Sequence, residues 1–174
     1  ENHTRNKELL KYPQTDALTG LYNKETTEQL TDELLSEDEN KSHAFLILDV
    51  DCFKQINDIY GHAVGDIVLQ KFGKLLKGTF REGDILGRIG GDEFGVIMKN
   101  IQTKDIAMKK AEELLAKTQA YKIDELKGNN ISISIGISTA PQDGDCYMDL
   151  YKRADQALYQ AKRSGKARVC NYFS

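Results

Sequence analysis

Apolar positions along this chain change period several times, and each change marks an element. Ala44-Phe45-Leu46-Ile47-Leu48 is a continuous apolar run. Such a run predicts a strand buried on both faces, over residues 43–50, that ends in Asp49-Val50-Asp51. Residues 84–89 and 94–98 are two further strand-like runs, joined through Gly90-Gly91. That join predicts a β-hairpin in which glycine supplies a positive φ. Ile131 to Ser138 alternates strictly between isoleucine and small residues. This predicts a half-buried strand, with the small residues serving either the close approach of a neighbour or plain packing. Helical spacing appears over 24–36, then at Val68, Phe72, Leu75 and Leu76. It returns at Ala107, Ala111, Leu114 and Leu115, and again at Leu150, Ala154, Ala157, Leu158 and Ala161. Residues 1–13 are polar and read as the end of an upstream linker or signalling helix, stopped near Pro13. The order of elements over 14–174 predicts an α/β (α+β) sandwich, with a mostly antiparallel central sheet flanked by helices.

Composition narrows the function classes. At 174 residues the chain suits one domain with a sizeable core. A net charge of −3 and no concentrated basic face argue against a nucleic-acid binder. No apolar run approaches the roughly 20 residues that span a bilayer, and no signal peptide is visible. The expected location is cytoplasmic, with no membrane contact by this stretch. Cys52, Cys146 and Cys170 are far apart, odd in number and without metal-site spacing, which predicts reduced thiols. The chain opens on Glu1, as expected of a piece of a longer protein, whether soluble or membrane-bound.

Chemistry concentrates at two strand ends. Asp92 and Glu93 follow directly on Gly90-Gly91, where a hairpin tip needs nothing acidic. Adjacent carboxylates repel unless solvated, protonated or holding a cation. A solvated polar turn and a metal site explain this pair equally well on pattern alone. The second acidic end, Asp49-Val50-Asp51, shifts the balance, because residues 49 and 51 of a strand point to the same side. Oxygen ligands of this kind suit Mg²⁺ or Mn²⁺. A calcium loop is excluded, since Phe53 stands where an oxygen ligand is needed. Neither a Gly-x-x-x-x-Gly-Lys loop nor a Gly-x-Gly-x-x-Gly fingerprint is present, so a nucleotide must be held by another device.

That device is legible between Phe53 and Asp66, a stretch read as lying between two apolar helices. Lys54 can neutralise phosphate, while Asn57 and Asp66 can read a base edge. The plainer alternatives are that Asp66 caps the next helix and His62 is an ordinary loop histidine.

Five blocks in order complete the pattern: Asp16 to Lys24, Asp49 to Asp66, Gly90 to Phe94, Ser134 to Gly136, and Ala154 to Lys166. Together they resemble the GGDEF domain, the catalytic domain of diguanylate cyclases, over nearly the whole chain. The resemblance implies a palm-like fold shared with nucleotidyl cyclases and some polymerases. It implies condensation of two GTP molecules into cyclic di-GMP, a bacterial second messenger, with release of two pyrophosphates. One domain holds one GTP, so the working unit is a homodimer, brought together by an upstream sensory or dimerisation region. The implied metal is Mg²⁺ or Mn²⁺, held by Asp49, Asp92, the Val50 carbonyl and Glu93. Asp92 is the implied general base, with Glu93 beside it and Lys54 stabilising charge on the phosphates. Asn57 and Asp66 would recognise guanine, with His62 close by, and Lys162 and Lys166 would clamp the triphosphate. Arg81-Glu82-Gly83-Asp84 stands where family members carry an Arg-x-x-Asp product-inhibition site, which makes Arg81 and Asp84 an allosteric pair. The chain departs from the usual pattern at Lys24, Cys52, Ile89, Lys166 and Ala167. Two rivals stand beside the cyclase: a catalytically silent module that senses GTP or cyclic di-GMP, and an enzyme making a mixed guanine–adenine dinucleotide.

Overall fold

A computed structural model describes residues 13–173, so the helix expected over residues 1–13 lies, except for Pro13, outside the described residues. Helix α1 (Lys24–Glu37) leads into β1 (His43–Val50), α2 (Phe53–Tyr60) and α3 (His62–Thr79). The hairpin β2 (Ile85–Arg88) and β3 (Glu93–Met98) follows, then α4 (Lys104–Ala120), a 3₁₀ turn at Asp124–Leu126, β4 (Ile133–Ala140), α5 (Tyr147–Arg163) and β5 (Val169–Asn171). The strands form one sheet of order β2-β3-β1-β4-β5. All neighbours are antiparallel except β4 and β5. The mostly antiparallel sandwich expected from the sequence is the one observed.

Strand β1 lies at the centre and is buried throughout, as its unbroken apolar run requires. Leu46, Leu48 and Val50 face a core completed by Phe94, Val96, Ile133, Ile135 and, from α3, Val68 and Phe72. Phe45 and Ile47 face the other way, against Leu34 and Leu35 of α1 and Tyr147, Leu150 and Leu158 of α5. Because successive side chains alternate between faces, Asp49 falls on the α1/α5 side. Register puts it directly opposite Glu93 on β3 and Ser134 on β4.

Strand β4 corrects one expectation. Strict alternation predicted a half-buried strand, but every residue of β4 is buried. Its small face is not solvated; it is where α5 lies. A β-carbon on Gly136 would fall 2.1 Å from the Ala154 carbonyl oxygen and 2.3 Å from the Leu158 nitrogen. The small residues therefore serve a close approach, that of the α5 backbone. Neither β5 nor the 3₁₀ turn was anticipated, because each is too short to show a period.

The hairpin is present, with Gly87 opposite Gly95 and the Ile89 N–H donating to the Glu93 carbonyl at 2.9 Å. Its glycines, however, do not do what was expected of them. The left-handed glycines are Gly20, Gly61, Gly128 and Gly165, and neither Gly90 nor Gly91 is among them. Among the described residues no helix is long and apolar enough to cross a membrane.

Candidate active site

The ends of β1 and β3 bring Asp49, Asp92 and Glu93 together. Asp49 and Glu93 are paired across the two strands, and the Val50 N–H donates to the Asp92 carbonyl at 3.3 Å. Val50 thus closes β1 at the same corner. From the far end of α5, the Lys162 ammonium donates to Asp49 Oδ2. Asp49 Oδ1 is buried and has no hydrogen-bond partner. Burial, then the neighbouring Asp92 carboxyl, pushes Asp49 up to about 7 despite the contact with Lys162. Burial also raises Glu93, against a hydrogen bond that it accepts from the Tyr151 hydroxyl at 2.7 Å. Burial alone would lower Lys162, but Asp49, Asp92 and Asp51 hold it above its ordinary value. The corner is a partly desolvated acid cluster with one cation at its edge and one orphaned carboxylate oxygen.

Asp51, read from sequence as a companion of Asp49, is used differently. It accepts from the hydroxyls of Ser132 (2.7 Å) and Ser134 (2.6 Å) and from the Ala167 N–H (3.1 Å). Accepting three hydrogen bonds, Asp51 is a brace between β4 and the turn after α5. Lys166 and Ala167 in that turn both take left-handed φ angles, 63° and 50°. The Lys166 ammonium, set 3.3 Å from Cys52 Sγ, is exposed.

The stretch from Phe53 to Asp66 is not a connector between helices. It is α2 followed at once by the first turn of α3, with Gly61 (φ 94°) at the junction. Asp66 therefore cannot be the cap of α3, because the helix has begun at His62. Lys54, His62 and Asp66 are exposed, and Asn57 is half-buried. A β-carbon on Gly65 would fall 1.9 Å from Asn57 Oδ1, so the Asn57 amide packs against α3 at Gly65, the residue before Asp66. The helix crossing brings the amide to α3; sequence reading overlooked that Gly65 is what permits it.

Arg88 was overlooked as well. Its guanidinium donates to the carbonyls of Gly90 (3.2 Å) and Gly91 (2.8 Å) and pairs with Asp16 at 3.2 Å. Burial would raise Asp16, but the Thr19 N–H and hydroxyl, together with Arg88, hold it below the usual carboxylate range. The Asp16 block is thereby tied to the hairpin tip. Arginine two residues before the Gly-Gly pair was the available signal.

Arg81 and Asp84 lie at the other end of the hairpin from Glu93, just before β2 and beside Lys99. The Asp84 side chain is 2 % exposed and accepts from the Arg81 guanidinium (3.2 Å), the Arg81 N–H (3.2 Å) and the Lys99 N–H (3.1 Å). The Arg81 side chain is 60 % exposed, so it is the member of the pair that meets solvent. Beside it is a groove of about 500 Å³ lined by Thr15, Tyr22, Lys77, Arg81, Glu82 and Leu86, among others.

A family model described as "Diguanylate cyclase, GGDEF domain" matches residues 13–168. Diguanylate cyclase A of Treponema denticola is 37 % identical over 170 residues, covering 94 % of this chain and 46 % of that protein. The chain thus spans less than half the length of the first curated relatives that it matches. The GGDEF domain of TpbB (YfiN) from Pseudomonas aeruginosa superposes with a TM-score of 0.86 at 33 % identity, over 92 % of this chain and 95 % of that one. The GGDEF domain of DgcB from Caulobacter crescentus, solved in complex with c-di-GMP, gives 0.82 at 26 % identity, over 90 % and 94 %. These neighbours share the palm-like cyclase fold. With its acid corner at paired strand ends and a match across nearly all its length, the chain belongs to the GGDEF family of diguanylate cyclase domains.

Proposed function

We propose that this domain is an active diguanylate cyclase, condensing two GTP molecules into cyclic di-GMP and two pyrophosphates where two copies meet. The observation that carries the reading is the orphaned, buried Oδ1 of Asp49 beside Asp92 and Glu93. A buried carboxylate oxygen with no donor is costly, and a divalent cation removes that cost. The donor set is all oxygen, as Mg²⁺ or Mn²⁺ requires. Asp49, Asp92, the Val50 carbonyl and Glu93 would hold the ion. Bound there, it would lower the pKa of a ribose 3′-hydroxyl and neutralise phosphate charge.

The remaining steps belong to the chain's own residues. Asp66 accepts from the guanine N–H groups and the Asn57 amide reads the same base edge, with His62 at the helix junction. Lys54, Lys162 and Lys166 surround the triphosphate with positive charge. Lys162 is already at the acid corner through Asp49. Asp92 takes the proton of the attacking hydroxyl. Gly91 is open, with nothing within 4 Å of a β-carbon built on it, so a nucleotide can approach the turn backbone closely. One domain positions one GTP, and the attacking hydroxyl comes from its partner, so an upstream region that dimerises the domains raises their effective concentration. Product inhibition is assigned to Arg81, anchored by Asp84 at the rim of the neighbouring groove.

The test is to incubate a dimer-forced form with GTP, ATP and Mg²⁺ and identify products by mass spectrometry. Cyclic di-GMP that disappears in Asp92→Ala is the expected result. No product despite GTP binding would make the domain a silent sensor, and a mixed dinucleotide would reassign its specificity. If Arg81→Ala leaves inhibition by cyclic di-GMP unchanged, the inhibitory assignment is wrong.

A further inference from the structure

Tyr151 occupies a position that the reaction above does not use. It lies on α5, and its hydroxyl donates to Glu93 Oε1 at 2.7 Å. The ring cannot easily turn away. It stacks on Tyr147 with centroids 5.9 Å apart and planes at 30°. Tyr147 is itself buried and meets Phe45 of β1 edge-on at 5.3 Å and 88°. The start of α5 is pinned in turn by the Tyr147 N–H donating to Asp32 of α1 at 2.8 Å. A chain of three aromatic rings running from the sheet to the acid corner therefore presents one phenol to one carboxylate oxygen. Around Glu93, the charged groups that face it are Asp49 from β1 and Asp155 and Lys162 from α5.

Occupying one oxygen changes what a carboxylate can do. A carboxylate with both oxygens free can grip a cation through two bonds, as calcium sites often arrange. Magnesium has a tight octahedral shell at about 2.0–2.1 Å and takes oxygens singly. Partners that fix the orientation of a metal ligand typically alter affinity by about 10–100-fold when removed.

We propose that Tyr151 is a positioning residue that leaves Glu93 a single oxygen for the metal, and so sets the preference of the site for a small octahedral cation over calcium. The inference rests on the metal-binding role of Asp49, Asp92 and Glu93 proposed above. It concerns a side chain to which that role assigns no contact: Tyr151 reaches Glu93 and Tyr147.

The test reads metal binding without turnover. Protein loaded with a non-hydrolysable GTP analogue is titrated with Mn²⁺ and followed by electron paramagnetic resonance, and Ca²⁺ is then added to displace it. Tyr151→Phe keeps the ring stack and should keep the melting temperature. It should let Ca²⁺ displace Mn²⁺ at about tenfold lower concentration than in the wild type. In Glu93→Gln one oxygen is already lost, so adding Tyr151→Phe to that variant should change nothing. Superimposable displacement curves for wild type and Tyr151→Phe overturn the proposal, as does a full effect of Tyr151→Phe in the Glu93→Gln background. Asp49→Asn separates the two levels: if it leaves Mn²⁺ affinity intact, the metal site itself is misplaced. If it abolishes binding while Tyr151→Phe has no effect, only the role of Tyr151 fails.

Discussion

Lys162, in the last turn of α5, donates its ammonium to Oδ2 of Asp49, a residue 113 positions earlier at the end of β1. The cation stands at the acid corner where the proposed function requires a metal and a triphosphate. Asp49 and the triphosphate therefore compete for Lys162. Lys162→Met should tighten Mn²⁺ binding severalfold in the absence of nucleotide and weaken binding of a GTP analogue by about tenfold, the scale of one charge-assisted hydrogen bond. Calorimetric titrations of each ligand alone would check both signs.

Crowding acids at one corner costs stability. Asp49 is raised to about 7 by burial and by Asp92, so the metal-free fold holds this carboxylate in an unfavourable place. Asp92→Asn should raise the melting temperature of metal-free protein by a few degrees, corresponding to about 1 kcal/mol. Added Mg²⁺ should stabilise the wild type more than the variant. Thermal melts in chelator and in Mg²⁺ give the comparison.

The Asp16–Arg88 pair predicts a pH dependence. Asp16 titrates below its ordinary 3.8 in the folded protein, so its contribution is complete above that value. As pH falls through the folded-state value, the contribution is lost. Asp16→Asn should therefore destabilise by about 1–3 kcal/mol at pH 7, and by progressively less in acid as pH falls through the lowered folded-state value. Urea unfolding of both proteins at neutral pH and in acid measures the difference.

Gly65 should tolerate alanine in the fold but not in function. The added β-carbon meets the end of the Asn57 side chain, which can swing aside, and Phe53 Cζ at 3.2 Å. Alanine also favours the helix by about 1 kcal/mol, which offsets the crowding. The expected outcome for Gly65→Ala is near-unchanged stability with about tenfold weaker binding of a GTP analogue, as for one displaced hydrogen-bonding partner. Fluorescence binding and a urea titration together separate the two effects.

Gly136→Ala should behave in the opposite way. Its β-carbon would meet the backbone of α5 at Ala154 and Leu158, which cannot swing aside. A loss of about 3 kcal/mol or more is expected, because the helix must lift off the sheet. Circular dichroism in denaturant would show it.

Local pattern carried much of this protein. The apolar run of β1, the hairpin and the helical stripes of α1, α3, α4 and α5 are set by period, which is a property of neighbours in sequence. The acids Asp49, Asp92 and Glu93 were likewise legible, because charge at the end of a buried strand violates that local pattern. Other features depended on elements that are distant in sequence. Strict alternation in β4 looked half-solvated because nothing local to residues 131–138 reveals that α5 covers the small face. Asp51 resembled Asp49 in sequence, yet Ser132, Ser134 and Ala167 claim it from across the sheet. Asn57 is seated by Gly65 through a helix crossing, and Gly90-Gly91 is held by Arg88 without a left-handed φ. The chain's order of residues set which side chains point to a common face, since that follows from backbone geometry alone. Which of them meet a lysine, a tyrosine or a serine was decided only by packing, because those partners arrive from other elements on folding.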